Sequence, residues 1–207
     1  MRFPILSSMV MSAALAASTL SHAAVVYDNG APFGDSHWCD SGPLHCGGNT
    51  WTINDDFTLS QDTVITGIDI WNSNGSAADY VNTTWSIWSR QPDRTFEPIA
   101  TGTTVADISM DKGFILSRLS GLSVSLEAGQ YWLGFSHQIS TDNPWTYVTT
   151  SAGSGNVVQL SLTGVNTSSQ IEAAFRIQSA VPEPSTTALM VCGLALVGVA
   201  ARRRAAR

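Results

Sequence analysis

His37, Cys39, His45 and Cys46 gather four nitrogen and sulfur donors into one short stretch, the raw material of a disulfide or of a zinc site. Six residues separate the two cysteines, which is unlike a compact Cys-x2-Cys metal pair. An oxidising compartment favours a Cys39–Cys46 bridge, worth roughly 2 to 3 kcal/mol by the chain-entropy estimate. Cys192 stands apart and reads as a small apolar residue.

Carboxylates offer less. Asp55 and Asp56 are adjacent, and neighbouring residues on a strand face opposite ways, so they form no close dyad without a bulge. Calcium held by one of them with Asp28, Asn54 or backbone carbonyls would need several oxygens. No Asp-x-Asn-x-Asn-Gly loop ending in glutamate is present, so a turn or a solvated face is the plainer role. Asp93, Glu97, Glu127 and Asp142 would have to stand about 5 to 9 Å apart in pairs for glycoside hydrolysis, and their spacing brings no two together. His37, His45 and His137 lack a Gly-x-Ser-x-Gly frame, and no Gly-x-x-x-x-Gly-Lys phosphate loop occurs. These groups read as polar loops and surface positions. The expectation is a protein that is not an enzyme, with no catalytic residue, no cofactor and no metal.

Seven tryptophans are the other conspicuous investment. A ring exposed on a sheet or loop can stack on a sugar face, and Trp38, Trp71, Trp88 and Trp145 are the candidates for glycan binding. Filling the space between two sheets is the competing use of such rings.

The elements that must position these residues are short and alternating. Ile53, Asp55, Phe57 and Leu59 fall on one side of a strand that begins at Trp51. Val64, Thr66, Ile68 and Ile70 are expected to share a face, with Ile65, Gly67, Asp69 and Trp71 on the other. Tyr80–Trp88, Ile99–Ala106, Phe114–Leu119, Leu122–Leu126, Tyr131–Phe135, Trp145–Thr149, Val157–Leu162 and Ile171–Ile177 continue the pattern, while Gly34 to Asn49 is loop-like. The fold expected is all-β, an antiparallel β-sandwich of jelly-roll type.

The ends have a different composition. Met1 to Ala23 reads as a secretory signal peptide: Arg2, a run of apolar and small residues, then Ser21-His22-Ala23 as a cleavage site. Residues 24 to 180 form the exported domain, sized for one core. At the other end, Pro182 and Pro184 favour an exposed extended spacer. Thr187 to Ala201 follows without a charge, a helix of about 22 Å set against a hydrocarbon core of about 30 Å. Arg202, Arg203, Arg204 and Arg207 can snorkel to the headgroups and favour the cytoplasmic side.

That order of Val181-Pro182-Glu183-Pro184, apolar helix 187 to 201 and terminal arginines resembles the PEP-CTERM sorting signal. The resemblance covers 181 to 207 and implies export, transient membrane anchoring and cutting near the motif by an exosortase-type membrane peptidase, with this chain as substrate. The body also resembles exported PEP-CTERM β-domain proteins in its Asp55-Asp56-Phe57 strand and its tryptophan-bearing strands, Ile68–Trp71 and Trp85–Trp88, with Asn54 where a small residue is usual. That likeness brings no catalytic set.

The net charge of −6 understates the body, because Arg2 and four tail arginines lie outside it. Arg90, Arg94, Lys112, Arg118 and Arg176 are its only cations. An acidic body is a poor partner for nucleic acid. The functional expectation is a non-catalytic surface or extracellular-matrix protein associated with exopolysaccharide, or alternatively a carbohydrate-binding module. Its location is expected to be the membrane first, then the cell surface or outside.

Overall fold

The computed structural model describes residues 23–40, 50–140, 146–150, 155–168, 171–180 and Gly193. The compact unit is Ala23–Ala180. The residues before Ala23, expected as part of a signal peptide, and the expected helix 187–201 lie outside the described residues, Gly193 excepted. Among the described residues no helix is long and apolar enough to cross a membrane.

Two antiparallel sheets make up the unit. The first contains β1 (Ala23–Asp28), β2 (Pro32–Cys39), β4 (Thr63–Ser73), β7 (Asp107–Asp111), β8 (Phe114–Leu126), β10 (Thr146–Thr150) and β13 (Phe175–Ala180). Its main path runs β1-β13-β4-β10-β2, with β8 also on β4 and β7 on β8. The second contains β3 (Thr52–Leu59), β5 (Tyr80–Trp88), β6 (Ala100–Thr104), β9 (Gly129–Ile139), β11 (Val157–Leu160) and β12 (Val165–Ser168), in the order β12-β11-β3-β9-β5-β6. A short 3-10 turn, Ala77–Asp79, carries the chain from the first sheet to the second.

One main core joins the sheets. Ile65, Ile68, Ile70, Leu119, Phe175 and Ile177 from the first meet Ile53, Phe57, Trp85, Ile87, Leu133 and Phe135 from the second. This is the face that period-two alternation assigned to β3.

On β4 the alternation misleads. Ile65 shares the core with Ile68 and Ile70, whereas Val64 is exposed. The cause is a register shift between Ile65 and Gly67 against β13, where two steps along β4 answer the one from Gln178 to Ser179, since a bulge advances the side-chain phase by one residue. Against β8 the register also shifts between Ile65 and Gly67, and Gly121, at φ 72°, passes inside one continuous β8 where two short strands were expected.

Three further strands depart from the sequence reading. Pro32–Cys39, expected as loop, is an edge strand paired to β10. Asp107–Asp111 pairs with β8 through a two-residue turn, Lys112 and Gly113, both at positive φ (53° and 87°) as a tight hairpin turn requires. Val165–Ser168 pairs with β11 across a turn in which Gly164 N donates to Ser161 Oγ.

Candidate functional site

The Asp-Asp-Phe strand places its first carboxylate inside the protein. Asp55 follows the inward alternation of β3 and is fully buried. Its Oδ2 accepts from Asn29 Nδ2 at 3.0 Å and from Ala173 N at 2.5 Å, and its Oδ1 from Asp56 N at 3.0 Å. Asn29 is tied in as well: its Nδ2 donates to Ala173 O at 2.9 Å and its Oδ1 accepts from Tyr27 OH at 2.8 Å. One carboxyl therefore joins the end of β1, the middle of β3 and the segment entering β13.

Burial holds the Asp55 carboxyl well above the usual carboxylate range, and the nearby charges of Glu172 and Asp56 push the same way. The Ala173 and Asp56 amides oppose that shift without cancelling it. Burial also raises Glu172, and it raises the Tyr27 hydroxyl together with the field of Glu172, Asp55, Asp56 and Asp28. Asp56 faces the other way and accepts from Gln130 Nε2 at 3.0 Å. Among the described residues no group of three or more His, Cys, Asp or Glu converges as a metal site.

A second buried polar cluster lies where β2 ends. Asp40 Oδ2 accepts from Asn72 Nδ2 at 2.5 Å and stands 3.2 Å from His137 Nδ1, with both the Asp40 and His137 side chains fully enclosed. The His137 amide donates to Asp40 O at 2.7 Å, and Gln159 Nε2 to Cys39 O at 2.7 Å. Side chains from β4 and β9 thus grip the residue that follows Cys39 between the sheets. His137, expected as a surface position, is an inward residue of β9 flanked by Tyr80 and Phe135. Alternation from Leu133 and Phe135 was the available signal for this, and imidazole polarity masked it.

Cys39 is disulfide-bonded. Cys46, His45 and Asp142 lie outside the described residues, and His37 is described by its backbone alone. Glu97 and Glu127 are exposed, and Asp93 accepts from Thr95 N and Oγ1 in its own turn, bonds that hold its pKa low.

Among the described tryptophans none is exposed. Trp71 is buried on the face of β4 turned away from Ile70; its Nε1 donates to Asp111 Oδ2 at 3.0 Å and the Arg176 guanidinium lies 4.9 Å from its ring centre. Trp88 pairs with Trp132 across β5 and β9, and the two retain 9% and 6% exposure. Trp88 Nε1 donates to Ser86 Oγ at 2.9 Å. Rings enclosed to this degree present no open face to a sugar. Trp38 is half-buried with its edge against Tyr147, and Trp145 lies outside the described residues.

The ends of the unit are neighbours, because Ala23 pairs with Ala180 in the antiparallel ladder of β1 and β13. The class defined by these observations is an all-β, two-sheet protein whose polar clusters tie strands together. The comparison with known families adds the particular. Residues 180–204 match the PEP-CTERM protein-sorting motif, so the chain carries a signal that indicates export and membrane-anchored sorting. No curated protein matches the chain.

Proposed function

We propose that the chain is a non-catalytic exported protein, cut at its sorting motif by an exosortase-type membrane peptidase and then displayed at the cell surface or in an extracellular matrix with exopolysaccharide. The observation that supports this reading most is the position of the motif. Its match begins at residue 180, where β13 ends, so the signal follows the last strand directly. The body is read as a jelly-roll-like sandwich stapled by a Cys39–Cys46 disulfide. Both oxygens of the buried Asp55 carboxyl, and Asp40 Oδ2, are engaged in holding strands together, which favours a scaffold over an enzyme. The enclosure of Trp71 and Trp88 gives no support to a tryptophan platform.

Replacing Pro182-Glu183-Pro184 by alanines tests the sorting step. Uncut chain should accumulate in the membrane fraction, with an intact mass larger than that of the processed wild type. Equal masses and equal distribution for the two would overturn the proposal. Retention of the processed protein by extracellular polysaccharide in a pull-down tests the second part, and absence of retention removes it.

A further inference from the structure

The chain contains two Asn-Gly dipeptides, Asn29-Gly30 and Asn74-Gly75. In such a pair the following backbone nitrogen can attack the asparagine side-chain carbonyl, because glycine has no Cβ to shield it. The fold buries one and exposes the other.

Asn29 is locked. It retains 8% exposure, its Nδ2 donates to Asp55 Oδ2 and Ala173 O, and its Oδ1 accepts from Tyr27 OH. The attacking atom is engaged as well, since Gly30 N donates to Asp28 Oδ1 at 3.0 Å.

Asn74 stands in the bend after β4, and Asn74, Gly75 and Ser76 are all exposed. Asn74 is at φ 63°, a left-handed conformation that asparagine tolerates better than most residues. One residue beyond Gly75, Ser76 N and Oγ donate to Asp79 Oδ2 at 2.9 and 3.0 Å.

We propose that Asn74 is a deamidation site of the folded protein, while Asn29 is protected by the fold. The Gly75 nitrogen attacks Asn74 Cγ, the new C–N bond forms as the Cγ–Nδ2 bond breaks, and the side-chain nitrogen leaves as ammonia with the Gly75 proton. Water then opens the cyclic imide at either carbonyl, giving aspartate or isoaspartate. Both products add a negative charge to an already acidic chain. The isoaspartate also adds a carbon to the backbone of the crossover between the sheets, next to Ser73 and its partner Thr146 on β10.

Incubating the purified full chain at mildly alkaline pH, followed by peptide mapping, tests this. The mass gain of an amide-to-acid change should appear at Asn74 and not at Asn29, with isoaspartate the larger product. Asn29 must wait for opening of the fold, whose population falls tenfold for each 1.4 kcal/mol. The ratio of the two rates should therefore exceed about a hundredfold for an opening that costs about 3 kcal/mol or more. In denaturant that ratio should collapse, with both amides lost. Gly75→Ala, checked for an unchanged melting curve, should slow the native reaction several-fold. Equal native rates at the two sites, or an Asn74 amide that persists in the folded chain while the denatured chain loses it, would overturn the proposal.

Discussion

Ala23 and Ala180 are cross-strand partners, and Asp28 and Arg176 at the far end of the same ladder are joined by an ion pair at 2.9 Å. The first and last strands of the unit thus close against each other, and both termini leave from one end of one sheet. Cleavage at either terminus removes nothing from the two-sheet core. A chain spanning residues 23 to 180 should accordingly melt within about 4 °C of the full chain, a shift corresponding to less than about 1 kcal/mol. Starting the chain at Asn29 should lower the melting point far more, because Tyr27, packed 5.7 Å from Phe175 and 5.9 Å from Phe57, is lost with β1.

The raised carboxyl of Asp55 sets a pH dependence. A group whose folded-state pKa lies above its unfolded value keeps its proton longer in the fold. Its contribution is therefore complete below the unfolded carboxylate value of about 3.9 and is lost as pH rises through the folded one. Glu172 acts in the same sense. Asp55→Asn should flatten the fall in unfolding free energy between mildly acidic and neutral pH, measured by urea titration at a series of pH values. An identical slope in variant and wild type would show that Asp55 is ionised in the fold throughout.

Removing the carboxyl altogether should cost more than shifting its charge. Asp55→Ala takes one acceptor from Asn29 Nδ2 and leaves Ala173 N without its acceptor, in a buried site. A buried donor stripped of its partner costs about 1 to 3 kcal/mol, so a loss of about 3 kcal/mol is expected from urea unfolding. Asn29→Ala should give a smaller loss, because the Ala173 bond to Asp55 survives.

Why Asp55 matters was only half legible in the sequence. Alternation with Ile53 and Phe57 placed it on the apolar side of β3, but its partners stand far away in the chain, at Asn29 and Ala173. Strand periodicity is a local signal and carries no information on which strands pair. Class was readable because alternation survives in most strands. Phase was not readable on β4, where one residue bulged against β13 moves Val64 to solvent and Ile65 to the core. The sorting signal was the clearest segment, because proline geometry, an uncharged run and clustered arginines act through the local chain and need no tertiary partner.

The cluster at Asp40 should behave as a clamp on the end of β2. Asn72→Ala removes the amide that donates to Asp40 Oδ2 and leaves a fully enclosed carboxyl facing His137 alone. A loss of about 2 to 3 kcal/mol is expected. Hydrogen exchange offers a local readout: the His137 amide, bonded to Asp40 O at 2.7 Å, should exchange faster in the variant than the Phe135 amide in the same strand. Equal acceleration at both would mean global destabilisation without release of the clamp.

Gly134 provides the last test, on the outer side of the second sheet. It lies in register with Asn54 on one side and Ser86 on the other. A Cβ built there would run into Asn54 Oδ1 and Ser86 Oγ and come within 3.2 Å of Trp88 Nε1. Asn54 is held by bonds from its Nδ2 to Thr52 O and Val158 O, both at 3.2 Å, and Ser86 by the Trp88 indole, so neither swings aside freely. Gly134→Ala should therefore cost about 1 to 3 kcal/mol, the range for overpacking a filled site. It should also change tryptophan fluorescence as Trp88 is displaced. Ser86→Gly in the same chain should recover part of the loss by clearing one of the two obstructing atoms. Without recovery, the strain would have to come from Asn54 alone, which Asn54→Ser in the Gly134→Ala background then measures.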